Sequence, residues 1–257
     1  MATKVTGSIV TYNNADIIED CIGSVLQYTQ NVDFTLYVID NGSKDGTADL
    51  VEEKFASAYP SRVILIRNGE NLGFGQGHNK VTETIDSEYH VVINPDITLH
   101  SEVVEELCKY LDEESDVAMV TPQVLNLDGS VQHLPKYCPS IRYAIISKFK
   151  PFRYIRRRYT RQDENLNRPT EVEFCTGCFF VIRTSIFKKL GGFDPGFFLY
   201  CEDADLSMRV RKEGKIIFYP TVSVTHLWKR ENTGNMRGVF RFMGSLVRFF
   251  MKWGIRI

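Results

Sequence analysis

Long apolar runs are missing from these 257 residues: no stretch of 18 is continuously apolar, so no segment reads as a helix able to span a bilayer. The apolar stretch within Met1–Tyr12 is too short for a signal peptide and leads straight into a strand pattern. An excess of one charge sign is missing too. Thirty-one Lys and Arg against 32 Asp and Glu leave −1, which supplies no global field for nucleic acid. Cysteines are few and scattered, at Cys21, Cys108, Cys138, Cys175, Cys178 and Cys201, which excludes a dense disulfide framework and makes a reducing cytoplasm the expected compartment. Cys175-Thr176-Gly177-Cys178 has no second pair to complete a zinc site and sits in a strand pattern, so packing around a permissive glycine is its reading. No Walker A sequence occurs. Glycines 73, 75 and 77 give G-x-G-x-G, whereas a dinucleotide fingerprint needs glycine where His78 stands, which disfavours a nicotinamide dehydrogenase. The first strand leads to Asn13-Asn14 and not to a glycine-rich loop with a basic residue, which disfavours a sugar nucleotidyltransferase.

What is present is strand and helix in alternation. With 43% hydrophobic and 25% charged residues, the chain is long enough for one large α/β domain with additions. Strands are expected at Lys4–Tyr12, Phe34–Asp40, Arg62–Arg67, Val91–Ile93 within Tyr89–Leu99, and Val117–Thr121. Between them fall helical patterns capped by Asp16, carrying Leu50, Val51 and Phe55, reaching Ile85, and covering Ser101–Leu111. The expected architecture is a mostly parallel central sheet with helices on both faces. After Thr121 the rhythm breaks. A hairpin is expected around Asp128-Gly129, a strand over Glu173–Arg183, a short helix at Thr184–Leu190, a loop entering a helix at Cys201–Arg209, and a late strand at Lys215–Tyr219.

Between them, Lys136–Arg168 is irregular and interleaves Lys148, Lys150, Arg153, Arg156, Arg157, Arg158 and Arg161 with Tyr143, Phe149, Phe152, Tyr154 and Tyr159. No nucleic-acid motif accompanies it. A solvated loop is one reading, and a membrane-facing or acceptor-gripping loop the other.

Three acidic positions carry the chemical interest. The strand Val91-Val92-Ile93 ends abruptly at Asn94-Pro95-Asp96, delivering a carboxylate to the sheet edge where open α/β proteins hold ligands; it suits a hard cation such as Mg²⁺ bound with substrate phosphate, or a plain turn. Asp40 likewise ends a strand, on the same sheet edge, and suits a base N–H or ribose hydroxyls, or an Asx-turn with Asn41-Gly42. Glu202-Asp203-Ala204-Asp205 packs three carboxylates at a helix start. Capping explains one or two; three beside Phe197-Phe198-Leu199-Tyr200 favour a general base whose pKa is raised by crowding and an apolar wall.

The ordered set IVTYNN at Ile9–Asn14, VIDNGSKDGT at Val38–Thr47, NLGFGQGHN at Asn71–Asn79, INPD at Ile93–Asp96, TGCFFVIR at Thr176–Arg183 and GGFDPGFFLYCEDADLSMR at Gly191–Arg209 resembles the inverting family 2 glycosyltransferases of the GT-A fold, especially their rhamnosyltransferase-like branch. The resemblance implies a nucleotide-diphosphate sugar as donor, dTDP-L-rhamnose or a UDP-hexose, and a glycan or lipid-linked acceptor hydroxyl in cell-surface polysaccharide synthesis. It implies donor binding at Thr11, Tyr12, Asn13, Asp40, Gly42, Gly73, Gly75, Asn79, Asn94 and Asp96, and acceptor binding at Gly177, Glu202 and Asp205. Asp203 becomes the base, and Asp96 with His226 the ligands of Mg²⁺ or Mn²⁺. Many relatives carry Asp-x-Asp where Asn94-Pro95-Asp96 stands here. The implied layout is a transferase domain over 1–229, with a donor half to 121 and an acceptor half from 122, and a helix over 230–257. A non-catalytic nucleotide-sugar or glycan binding protein of the same fold is the alternative.

In that helix, Arg237, Arg241, Arg248 and Lys252 form a narrow basic stripe on an otherwise aromatic-rich wheel. Such a helix fits an anionic membrane surface, which implies a peripheral position on the inner face of the cell membrane; folding back onto the domain is the other reading.

Overall fold

Continuously buried strands set the architecture, because a strand covered on both faces must be apolar at successive positions and not only at alternate ones. The computed structural model describes residues 3–144, 153–227 and 236–255. Lys148, Phe149, Lys150, Phe152, the side chain of Arg237 and the expected boundary at 229/230 lie outside the described residues.

The chain runs β1 (Lys4–Thr11), α1 (Ile18–Gln27), β2 (Asp33–Asp40), α2 (Thr47–Val51) with a π-type turn over Glu52–Ala56, β3 (Val63–Arg67), α3 (Phe74–Asn79), β4 (Tyr89–Ile93), β5 (Ile97–Leu99), α4 (Val103–Glu113) and β6 (Val117–Leu125). There follow α5 (Ile141–Ala144), α6 (Arg153–Tyr159), β7 (Thr170–Glu171), β8 (Phe179–Arg183), α7 (Thr184–Lys189), α8 (Glu202–Val210), β9 (Lys215–His226) and α9 (Met236–Trp253). Among the described residues one sheet forms, ordered β3-β2-β1-β4-β8-β6-β9-β5, with β7 also paired to β9. The β3-β2-β1-β4 half is all parallel, whereas β8 runs antiparallel to both its neighbours, so the second half is mixed. Ile9 pairs with Val38 on one side and Ile93 on the other, which aligns the carboxyl ends of β2, β1 and β4 along one edge.

Val5, Ile9, Val38, Val91 and Ile93 face a core closed by α1 and α4. Val10, Ile39 and Val92 face a second core with Phe180, Phe187, Phe193 and Leu206. All six cysteines are buried thiols.

Several local expectations are corrected. The cap position of α1 is Ile17, not Asp16, and no side chain caps it. Only Phe179–Arg183 of the expected strand from Glu173 pairs as β8, because Cys175–Gly177 turns away to meet α8. The Asp128-Gly129 hairpin is a tight turn closed by Asn126 and Ser130 with one bridge, Leu125 to Val131. Lys215–Tyr219 and Thr221–Thr225 are one continuous strand.

The last helix folds back onto the domain. Leu246 and Phe249 are buried against Cys138, Phe174, Phe197, Cys201 and Ala204. The described basic residues flank that buried apolar side and reach the domain while staying exposed: Lys252 pairs with Asp194 at 2.6 Å and with Asp205 at 2.7 Å, Arg248 reaches Asp194 at 3.3 Å, and the Arg241 guanidinium lies 4.9 Å over the Phe198 ring. The exposed side also carries large apolar side chains, with Phe240 69%, Val247 53% and Met251 83% exposed. Of the two readings of this helix, folding back onto the domain is the one seen, with Arg248 and Lys252 ion-paired to Asp194 and Asp205.

Candidate active site

Asp203 stands one residue into α8, at the end of a backbone that needs support. Tyr200 and Cys201 both take left-handed conformations, φ 72° and φ 64°, which cost about 1–3 kcal/mol each for side chains of this kind. Ser245 of α9 donates to the Leu199 carbonyl at 2.8 Å, and the Phe242 ring packs edge-on against Tyr200. The last helix therefore holds the turn that aims the carboxylates.

The Asp203 carboxylate accepts from the Gly177 N–H at 3.2 Å and from its neighbour Ala204 N–H at 2.8 Å. It borders a cavity of about 200 Å³ shared with Glu202, Lys136, Tyr143, Tyr159 and Phe174. Burial pushes the Asp203 pKa above the usual carboxylate range, against the pull of the Lys136 charge and the two N–H donors. Glu202 is raised as well, by burial and then by the Asp203 charge, and its Oε2 is buried with no hydrogen-bond partner among the described residues. Two crowded acids with elevated affinity for a proton are the equipment of general base catalysis.

The same loop joins this cavity to the sheet edge. While Gly177 N–H holds Asp203, the next residue's carbonyl, Cys178, accepts from Asn94 N–H at 2.8 Å. Asp203 and the Asn94-Pro95-Asp96 turn are thus held by adjacent residues of one loop. Asp40 ends β2 on the same edge, two strand spacings or about 10 Å from the end of β4.

Asp96 and His226 meet, with Oδ1 and Nε2 3.2 Å apart. Gln132 fixes the ring. Its Nε2 donates to the His226 carbonyl at 2.9 Å and to Asn126 Oδ1 at 2.9 Å, which turns Oε1 toward His226 Nδ1 at 3.0 Å and assigns the ring proton to Nδ1. Nε2 is then the ring atom that faces Asp96, whose Oδ1 is buried with no hydrogen-bond partner among the described residues. Such a pair fits a shared proton or a divalent cation. Among the described residues no cluster of three His, Cys, Asp or Glu could hold a metal, so the remaining ligands would be water and substrate phosphate.

Other expected site residues have different work. Gly73 and Gly75 make room for the protein itself: a Cβ on Gly73, whose φ is +81°, would sit 2.2 Å from the Phe198 carbonyl oxygen, and one on Gly75 2.8 Å from Phe193 Cβ. Asn79 ties α3 to the turn before α8 through Phe193 N–H and C=O at 2.8 and 2.7 Å. All three therefore serve as clamps within the fold. Asp40 accepts from Gly42 and Ser43 N–H, an Asx-turn closed by its own loop, with Gly42 at φ +78°. Thr11 is fully buried and donates to Asn14, and Asn13, at φ 56°, links the Ser43-Lys44 turn. Tyr12 is 44% exposed at that edge. Gly177 donates its N–H to Asp203 and packs against Phe74 and Asp203. Asp205 is fully buried and accepts from Arg209 Nε and Trp253 Nε1, each at 2.8 Å; it anchors α9 and cannot touch an acceptor. Lys136 and the pair Tyr200-Cys201 were missed. Lys136 belongs to an aperiodic segment, and left-handed tyrosine and cysteine have no sequence signature.

A half-parallel, half-mixed sheet with carboxylates gathered at its edge and a buried acidic pair beyond it is consistent with the GT-A fold. The chain belongs to glycosyl transferase family 2, whose family model matches residues 8–191. Among curated proteins it is similar to the N-acetylglucosaminyl-diphospho-decaprenol L-rhamnosyltransferase of Mycobacterium tuberculosis, 27% identical over 242 residues covering 88% of this chain and 76% of the relative. It is also similar to the rhamnosyltransferase WbbL of Escherichia coli, 26% identical over 241 residues covering 80% of this chain and 88% of the relative. Among solved structures, the mannosyltransferase PcManGT of Pyrobaculum calidifontis in complex with GDP-Man and Mn²⁺ superposes with a TM-score of 0.67 at 18% identity, covering 98% of this chain and 64% of that one. GalNAc-T7 with UDP, GalNAc and Mn²⁺ gives a TM-score of 0.67 at 16% identity, covering 91% of this chain and 45% of that one. The chain spans less than two thirds of the length of either structure.

Proposed function

We propose that this glycosyltransferase moves a sugar, L-rhamnose from dTDP or a hexose from UDP, onto a hydroxyl of a glycan or lipid-linked acceptor with inversion, in cell-surface polysaccharide synthesis. The observation that carries the reading is Asp203, raised in pKa and held by Gly177 N–H one residue from the peptide that touches the Asn94-Pro95-Asp96 turn. Asp203 takes the proton as the acceptor oxygen attacks the anomeric carbon, the bond from that carbon to the diphosphate oxygen breaks, and the nucleoside diphosphate leaves from the opposite face. A single displacement of this kind inverts the anomeric centre. Asp96 and His226 would hold Mg²⁺ or Mn²⁺, whose charge neutralises the departing diphosphate. Tyr12, Asn13, Asp40 and Asn94 border the donor on this reading, with residues 1–121 as the donor half and 122–229 as the acceptor half. The exposed apolar side of α9 supports a peripheral position on the inner face of the cell membrane. A thermal-shift panel of nucleoside diphosphates with and without Mn²⁺ names the base. NMR of the product's anomeric proton then tests inversion. Absence of nucleoside diphosphate binding under all conditions overturns the proposal.

A further inference from the structure

The tight turn at Asp128-Gly129 carries a line of hydrogen bonds that ends on His226. Asp128 Oδ1 accepts from the Ser130 hydroxyl at 2.6 Å and from Ser130 N–H at 2.9 Å, and these bonds hold its carboxyl below the usual range, so it is the acceptor end of the line. The Ser130 oxygen in turn accepts from Asn126 Nδ2 at 2.8 Å, which leaves Asn126 Oδ1 to face Gln132 Nε2 at 2.9 Å. Around that nitrogen stand two backbone carbonyls as well, His226 at 2.9 Å and Leu125 at 3.4 Å, neither of which can turn its oxygen away. The orientation of the Gln132 amide is therefore fixed. Its Oε1 has no hydrogen to offer and lies 3.0 Å from His226 Nδ1, so the ring must donate. Each bond points the same way, from the buried Gln132 out to an exposed carboxylate.

We infer that Gln132 is a positioning residue for a divalent cation: it holds His226 as the Nδ1–H tautomer and so keeps Nε2, the ring atom 3.2 Å from Asp96 Oδ1, as a lone-pair donor. The inference rests on the proposed assignment of Asp96 and His226 to Mg²⁺ or Mn²⁺, and it adds the residue that makes the histidine fit for that work. An imidazole ligates only through a nitrogen that carries no proton. In the opposite tautomer Nε2–H would donate to Asp96 and close the pair to a cation, yet Gln132 Oε1 would then face a second lone pair at Nδ1. The separation also suits the role, since neighbouring ligands of an octahedral Mg²⁺ stand about 3 Å apart. A carbonyl or carboxylate that accepts from the far N–H of a ligating histidine fixes its orientation and raises its donor strength. Here that acceptor is an amide already polarised by a line ending on the Asp128 charge. The hairpin from Asn126 to Gln132 thus has a task at the site, although its tip is exposed.

The first readout needs neither variant nor metal. In the ¹⁵N-labelled full chain at about pH 8, where an ordinary imidazole is neutral, a long-range ¹H–¹⁵N spectrum of the His226 ring should place its proton on Nδ1. A proton on Nε2, or on both nitrogens, overturns the inference. Gln132→Met then removes the amide at similar side-chain length. The ring should lose its single tautomer, and Mn²⁺ affinity, followed by electron paramagnetic resonance with UDP or dTDP present, should fall about 10–100-fold. Affinity for UDP or dTDP without metal should not change. Unaltered Mn²⁺ affinity in a folded Gln132→Met protein overturns the inference; should that variant fail to fold by circular dichroism, the parent spectrum decides alone. A parent that binds nucleoside diphosphate but no Mn²⁺ sinks this role for Gln132 and leaves the transferase reading standing, whereas a parent that binds no nucleoside diphosphate sinks the transferase reading itself.

Discussion

The indole N–H of Trp253 donates to Asp205 Oδ1 at 2.8 Å, joining the end of the chain's last helix to the helix that carries Asp203. Lys252 adds its charge to the same oxygen at 2.7 Å. Both helices lie beyond the family-matched segment, which ends at residue 191. Breaking a buried ion pair leaves an uncompensated charge and costs about 3–5 kcal/mol. Replacing Trp253 by Phe removes one donor and leaves Lys252 and Arg209 in place, so it should lower stability by about 1–3 kcal/mol, whereas Lys252→Met with Arg209→Met should cost the larger amount. Chemical denaturation checks both. Asp205→Asn should follow the same order without a selective rise in acceptor KM.

Asp203→Asn keeps the side chain's size and its hydrogen bond from Gly177 N–H while removing the base. Turnover should fall by about 10²–10⁴, with nucleoside diphosphate affinity unchanged. Single-turnover kinetics beside a binding titration make the measurement, and full activity in the variant would assign the base elsewhere.

The acidic limb of kcat/KM should lie above the ordinary carboxylate range, because burial raises both Asp203 and Glu202 and the base must be ionised. The sign of the Lys136 effect is fixed. Its positive charge favours the Asp203 carboxylate, so Lys136→Met raises the carboxyl pKa further and the limb should move to higher pH. Movement to lower pH would contradict the arrangement.

Beneath the sheet, Ser8 bridges His78 Nδ1 at 2.8 Å and His90 Nε2 at 2.9 Å, and burial holds both rings well below the usual histidine value, His90 at about 3. Below pH 6.5 the unfolded chain binds protons that the folded chain refuses, so stability falls on acidification from 6.5 toward 3, by about 1.4 kcal/mol per pH unit for each ring. The raised carboxylates act with the opposite sign over part of that range. Comparing His90→Gln with the parent cancels them, and the variant's stability against pH should be flatter by one ring's share.

Gly73→Ala should destabilise through the left-handed backbone and the collision with the Phe198 carbonyl, whereas Gly23→Ala, in α1 with open space where its Cβ would fall, should be neutral or stabilising. Thermal melts of the pair decide whether the glycine-rich turn serves packing or phosphate.

Much of this was legible in the residues. The strands ending at Asp40 and Asp96, the helix entered at Glu202 and the amphipathic end of the chain all follow from local periodicity and turn chemistry, which is why their bounds hold to within a few residues. What periodicity cannot give is the identity of a partner far along the chain. The helical wheel groups Arg248 with Lys252 but is silent on Asp194, 54 residues before Arg248, so it left open which face turns inward. Gly73, Gly75 and Asn79 look like ligand chemistry until Phe193 and Phe198 are seen against them. Lys136 lies in a segment whose position is set by tertiary contacts such as the Lys136–Phe174 bridge.

The buried thiols give the molecule a set of internal clocks. A thiol alkylates only while its surroundings are open, and the burial that hides Cys21, Cys108 and Cys201 also raises their pKa and slows the reaction further. Cys201 sits under α9 beside the carboxylates, and Cys21 and Cys108 in the main core between sheet and helices. The ratio of their labelling rates therefore times the lifting of the terminal helix separately from global unfolding.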